Sequence, residues 1–173
     1  MDIAYTSAPG RGDMDQLLYK LSETLSARGY RPCGTVQINT ACGDEGPCDM
    51  DVKILPDGPT LRISQSLGRH ARGCRLDPAA LETAVAQVGA TLDRGADFLL
   101  VNKFGKHEAD GRGFRPVIAE ALARGLPVLV GLNSLNTAAF NDFTGGLAVA
   151  LPPEDEALTD WLLARLPVGE TTP

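Results

Sequence analysis

The chain has 173 residues, 43% of them hydrophobic and 22% charged, which suits one soluble globular domain with a real core, and aromatics at only 5% make that core aliphatic. A net charge of -6 argues against non-specific nucleic-acid binding and against docking on an anionic membrane surface, and no apolar run reaches the roughly 18 residues of a membrane span. The N-terminus lacks the basic start and apolar stretch of a secretory signal, so a cytoplasmic protein with four reduced Cys is the expectation.

Residues 2–7 read as a first strand, followed by the glycine-containing loop Ser7-Ala8-Pro9-Gly10-Arg11-Gly12. Asp13 is placed to cap a helix over about 14–28, where Met14, Leu17, Leu18, Leu21 and Leu25 recur at helical spacing and Gly29 supplies a stop. Tyr30 to Ile38 reads as a strand and 39–47 as a polar loop. The runs 48–55 and 60–66 form a hairpin around the turn signal Pro56-Asp57-Gly58-Pro59.

A basic loop over 67–75 leads to Asp77-Pro78, an N-cap followed by a first-turn proline, opening a helix that runs to about Arg94. Residues 96–103 read as a centrally buried strand with a continuously apolar run at 98–101. A loop over Phe104 to Gly113 precedes a helix of about 114–124, a buried strand 126–132, a short helix 135–142, a strand 147–151 and an amphipathic helix 154–166 carrying Leu158, Trp161, Leu162 and Leu166 on one face. The expected architecture is a three-layer α/β fold, with helices on both faces of a mostly parallel sheet and an inserted β-hairpin. It spans 1–166 as one domain with a tail at 167–173.

The loop after the first strand stands where a phosphate-binding loop of the form G-x-x-x-x-G-K-[ST] would stand, and it carries different chemistry. That motif cradles phosphates with backbone N–H groups, neutralises them with Lys and holds Mg²⁺ with a hydroxyl. Here Ser7 replaces the first Gly, Asp13 the Lys and Met14 the hydroxyl. A carboxylate facing a phosphate repels it.

The order of elements, with Pro9-Gly10-x-Gly12 and the run from Gly95 through Leu132, resembles the small bacterial and archaeal P-loop nucleoside-triphosphatase family. The likeness implies a P-loop-type fold. That family ends its central apolar strand in Asp-Glu, and this chain has Asn102-Lys103. The segments 48–52, 62–81 and 101–115 more closely resemble a bacterial group catalogued only as a domain of unknown function, and that resemblance implies a molybdate-transport context. Loss of the Lys, the hydroxyl and the acidic pair removes the parts on which phosphoryl transfer depends. No Mg²⁺-nucleotide of the ordinary P-loop type is expected.

Positive charge is available elsewhere. Eight of the 16 Lys and Arg residues flank the second predicted helix: Arg62, Arg69, Arg72 and Arg75 before it, Lys103, Lys106, Arg112 and Arg115 after it. Lys103 and Lys106 follow the C-terminal end of a central strand, where open α/β sheets place their ligands. Arg72 and Arg75 offer planar forks to an oxyanion, Lys103 a compact charge, and Gly105, Gly111 and Gly113 give the loop freedom to approach a ligand or close as a lid. The same charges also read as solvated loop groups paired with Glu108, Asp110 and Asp77. Gln65 and Ser66 sit at a strand end over the same edge, and Asn133 reads as a turn residue first and a binding residue second.

Cys48 and Cys74, with His70 or His107, are weak candidates for a soft-metal or thiolate site, since no paired CxxC motif is present. His107-Glu108 lacks the second His of a metalloprotease helix and reads as a surface turn. The expected function is binding of an anionic small molecule, a nucleotide phosphate or an oxyanion such as molybdate, without hydrolysis. Gly10, Arg11 and Gly12 would supply backbone contact, and Arg72, Arg75, Lys103 and Lys106 charge. A divergent phosphohydrolase and a protein-interaction module whose basic loops dock an acidic partner are the alternatives. If Asp13 and Lys103 pair, the old phosphate site is closed. If they stand apart, an anion site survives with its charge relocated.

Overall fold

A computed structural model of the chain describes residues 1–10, 12–39, 49–65 and 76–168. The candidates Arg11, Cys48, Ser66, Arg69, His70, Arg72, Cys74 and Arg75, and the tail beyond 168, lie outside the described residues.

The elements in chain order are β1 (Ile3–Thr6), α1 (Asp13–Ala27), β2 (Pro32–Asn39), β3 (Met50–Leu55), β4 (Thr60–Arg62), α2 (Pro78–Asp93) and β5 (Phe98–Phe104). They continue with α3 (Lys106–Ala109), α4 (Arg115–Ala123), β6 (Val128–Leu132), a 3-10 turn (Ser134–Asn136), α5 (Thr137–Thr144), β7 (Val149–Leu151) and α6 (Asp155–Leu163). One seven-stranded sheet runs in the order β4-β3-β2-β5-β6-β1-β7. The β2-β5-β6-β1-β7 core is parallel, and β3 and β4 add an antiparallel hairpin at one edge. No helix among the described residues is long and apolar enough to cross a membrane.

The strands alternate their side chains between two cores, as a sheet covered on both faces requires. Leu99 and Val101 join Ile3, Cys33, Val128 and Val130 under α2, α4 and α5. Phe98 and Leu100 join Ala4, Val36 and Leu129 under α1 and α6, where Leu18, Leu21 and Leu25 meet Leu158, Trp161 and Leu162. The helix stripes read from the sequence therefore bury as their spacing dictates. Asp77 caps α2 as expected, its Oδ1 accepting from the N–H groups of Ala79 (3.0 Å) and Ala80 (3.3 Å).

Cys33 is fully buried in β2 and its thiol donates to the Val88 carbonyl at 3.4 Å. Burial pushes its pKa up to about 11, and only the thiolate reacts. Iodoacetamide at pH 8 should leave Cys33 unmodified in the folded protein and label it after denaturation, as read by peptide mass spectrometry. Rapid labelling of the native chain would contradict this burial.

Three local expectations are corrected. Asp13 does not cap α1: it is the first residue of the helix, and the cap position is Gly12, whose φ of 82° is left-handed and which offers no side-chain bond. Phe104 is not a loop residue but the end of β5, fully buried against Phe140 and Phe143. The loop after it contains the short helix α3, and Glu108 within it is buried rather than on a surface turn.

Candidate functional site

The C-terminal ends of the parallel strands form one rim. Along it lie the Gly10–Gly12 turn after β1, Asn133 after β6, and Asn102, Lys103 and Lys106 at the end of β5. Open parallel sheets bind ligands there because strand ends leave loops and helix starts facing a crevice.

At the β1 end Gly10 and Gly12 precede the start of α1. The Asp13 N–H reaches the Gly10 carbonyl at 3.4 Å, and the Gln16 N–H bonds to the Gly12 carbonyl at 3.1 Å, starting the helix. A Cβ added at Gly10 would overlap the Asp13 carboxylate, so that carboxylate lies against Gly10. The first turn of α1 carries Asp13 and Asp15, negative charges that the helix dipole stabilises in place of an external anion. The Ser7 hydroxyl donates to the Leu132 carbonyl across the sheet. Met14 packs partly buried against the α1–α6 core.

The end of β5 carries a structural amide. Asn102 is 5% exposed, its Nδ2 donates to Asp15 Oδ1 at 2.8 Å, and its Oδ1 accepts the Gln37 backbone N–H at 2.9 Å. One side chain thus ties β5 to the start of α1 and to β2. Sequence reading missed Asp15, although an Asp-Met-Asp first turn announces a carboxylate facing the neighbouring strand end.

Lys103 owes its position to a β-bulge. Val101 pairs with Val130 and Phe104 with Leu132, so β5 advances three residues while β6 advances two. The extra residue re-aims the chain: Asn102 points toward α1, Phe104 returns to the opposite core, and Lys103 is left exposed at the rim. Bulges recur beside functional sites because they redirect a side chain in this way. Among the described residues no ion pair joins Asp13 to Lys103, and neither Lys103 nor the exposed Lys106 has a carboxylate at ion-pair distance.

The other described cations of the predicted cluster are engaged. Arg62 pairs with Asp51 (3.0 Å) and Asp49 (3.3 Å), both of which hold its guanidinium above its ordinary pKa. Arg112 meets Asp110 at 3.7 Å, and Arg115 lies 4.8 Å from the centre of the Phe143 ring. Glu108 pairs with none of them, and Asp77 is spent on its cap. Gln65 donates to the Leu76 carbonyl at 3.0 Å, and Asn133 is a turn residue whose Oδ1 accepts from Asn136 at 2.9 Å. No group of three or more potential metal ligands occurs among the described residues. An apolar depression of about 350 Å³ lined by Met1, Ala119, Leu122, Ala123, Phe143 and Thr144 lies at the opposite, N-terminal edge of the strands.

Comparison with known proteins places this geometry. A solved structure described as a human cancer-related nucleoside triphosphatase superposes with a TM-score of 0.59 over 95% of each chain at 19% identity. The P-loop-type α/β fold is thereby shown. Of the curated proteins, the molybdenum import ATP-binding protein ModC 2 of Bradyrhizobium diazoefficiens is 36% identical over 149 residues, covering 86% of this chain. The chain spans 17% of the length of that relative. The sequence profile of a family described as a protein of unknown function, DUF2478, matches residues 3–161, and the chain belongs to that family.

Proposed function

We propose that this chain is an oxyanion-binding domain of P-loop-type fold, binding a nucleotide phosphate or an oxyanion such as molybdate without ordinary Mg²⁺-dependent hydrolysis, in an accessory or regulatory role. The observation that carries the reading is the bulge at the end of β5, which turns Lys103 out at the ligand rim, with Lys106 three residues on and, among the described residues, no carboxylate at ion-pair distance from either. A ligand rim that carries two ammonium groups attracts a compact anion. The sequence adds Arg72 and Arg75 as fork-shaped donors.

The glycine loop contributes shape rather than charge in this reading. Asp13 and Asp15 repel a triphosphate from the α1 start, and Asn102 offers Mg²⁺ no carboxylate, so hydrolysis lacks its usual neutralising groups. The name of the 36%-identical relative, a molybdenum import ATP-binding protein, supports molybdate, a tetrahedral dianion, as a ligand of the same class as phosphate.

Thermal unfolding with pyrophosphate, molybdate, tungstate, ATP and GTP, each with and without Mg²⁺, tests the reading. A ligand that binds only the folded chain stabilises it by about 2.7 kcal/mol at 100 times its Kd. Stabilisation that does not require Mg²⁺, without phosphate release from ATP or GTP, is expected. Mg²⁺-dependent phosphate release that disappears in Lys103→Ala would instead favour a divergent phosphohydrolase.

A further inference from the structure

The loop that carries Lys106 and follows Lys103 is built around one buried carboxylate. Glu108 is 3% exposed, and its two oxygens take different partners: Oε2 accepts the Gly105 N–H at 2.9 Å and Oε1 the Phe114 N–H at 3.1 Å. The segment 105–114 is therefore closed at both ends by the same side chain. Glu82 of α2 adds a third tie, accepting the Gly113 N–H at 3.2 Å.

The stapling leaves little room for the hinge-like freedom that its glycines suggest in the sequence. A Cβ at Gly113 would overlap the Glu108 carboxylate, and one at Gly105 would lie 3.5 Å from Glu108 Oε2 and 4.0 Å from Lys103 Cε. Gly105 thus lies between the buried carboxylate and the Lys103 stem, within ordinary contact distance of both. Burying an ionised carboxylate without a cation is costly unless its lone pairs are filled by strong donors. Backbone amides serve here, in the loop that follows Lys103 and carries Lys106, and among the described residues neither lysine has a carboxylate at ion-pair distance.

We propose that Glu108 is a positioning residue which fixes Lys103 and Lys106 as a clamp for a tetrahedral oxyanion dianion, an inference that rests on the anion-binding reading above. The ligand class follows from the cations at hand. Arg112 and Arg115, whose planar forks suit carboxylates and phosphates alike, are engaged by Asp110 and Phe143, which leaves Lys103 and Lys106. The two ammonium groups are compact point charges that suit a dianion with oxygens on all sides. Holding them in place before the ligand arrives removes ordering cost from binding.

The test is calorimetric titration of inorganic phosphate and of molybdate, at pH 8 and constant ionic strength, into the wild type, Glu108→Gln, Glu108→Asp, Lys103→Ala and the Glu108→Gln/Lys103→Ala double variant. Amide exchange at Gly105 and Phe114 is followed in parallel. Gln keeps one acceptor and places an N–H against the other amide, so faster exchange at one or both sites and affinity about tenfold weaker are expected, the scale of losing one charged hydrogen bond. Asp keeps the charge with a shorter reach, should fall between the two, and carries the test if the Gln variant does not fold. Because Glu108 acts through the lysines, Glu108→Gln should cost clearly less affinity in the Lys103→Ala background than in the wild type.

Wild-type affinity in Glu108→Gln, or an equal loss in both backgrounds, would overturn the positioning role alone. No binding of either anion by the wild type would overturn the anion site and the positioning role together.

Discussion

Asn102→Asp is expected to destabilise the fold by about 2–4 kcal/mol at pH 7, the scale of leaving a buried polar pair mismatched. The side chain is 5% exposed and donates to Asp15 Oδ1 at 2.8 Å. A carboxylate there still accepts the Gln37 N–H and sets acceptor against acceptor on the α1 side. Two close carboxylates resist joint ionisation, so the new group has a higher pKa folded than unfolded. The penalty is then present above the folded value and is relieved as pH falls through it.

Urea unfolding at pH 7 and pH 5 reads both the loss and its recovery. Adding Asp15→Asn to Asn102→Asp exchanges donor and acceptor across the same contact and should restore most of the stability. Equal stability of Asn102→Asp and the wild type at pH 7 would show that the contact carries no weight.

Phe104→Ala should cost about 3–5 kcal/mol, the range for removing a buried phenyl ring. The ring is fully buried and meets Phe140 edge-on at 5.1 Å and Phe143 stacked at 6.0 Å. In a chain with only 5% aromatics these contacts are concentrated, and a double-mutant cycle with Phe140→Leu should return a coupling of about 0.5–1.5 kcal/mol. Phe104 is also the residue that re-enters the core after the bulge, so its loss frees Lys103 from below. Chemical denaturation measures the stability change, and a loss under about 1.5 kcal/mol would mean that the bulge is held by other contacts.

The layers of the fold were legible because their signals are local. Leu spacing located α1, Asp77-Pro78 opened α2 where Asp77 bonds two amides, and the unbroken apolar run at 98–101 marked a strand covered on both faces. The bulge was not legible, since an extra residue in a strand changes pairing with β6 without changing the apolar pattern. Phe104 was read as loop for that reason.

Glu108 was hidden for a different reason. Glycines at 105, 111 and 113 suggest irregular chain, and a charged residue among them reads as solvated, yet Gly105-x-x-Glu108 has the spacing of a capping box in which the third helical residue reaches back to the cap N–H. The rim itself was partly legible. Lys103 and Lys106 were placed at the β5 end from strand order alone, whereas the Asp15–Asn102 contact joins positions 87 residues apart and leaves no local trace.

The central claim is that this fold binds an oxyanion through the β5 rim and not through its glycine loop. The most direct measurement is the unfolding temperature of the wild type and of Lys103→Ala/Lys106→Ala across a pyrophosphate titration at constant ionic strength and without Mg²⁺. A rise in the wild type that is lost or greatly reduced in the double variant is the predicted result. An equal rise in both proteins, or none in the wild type at several millimolar ligand, would contradict it.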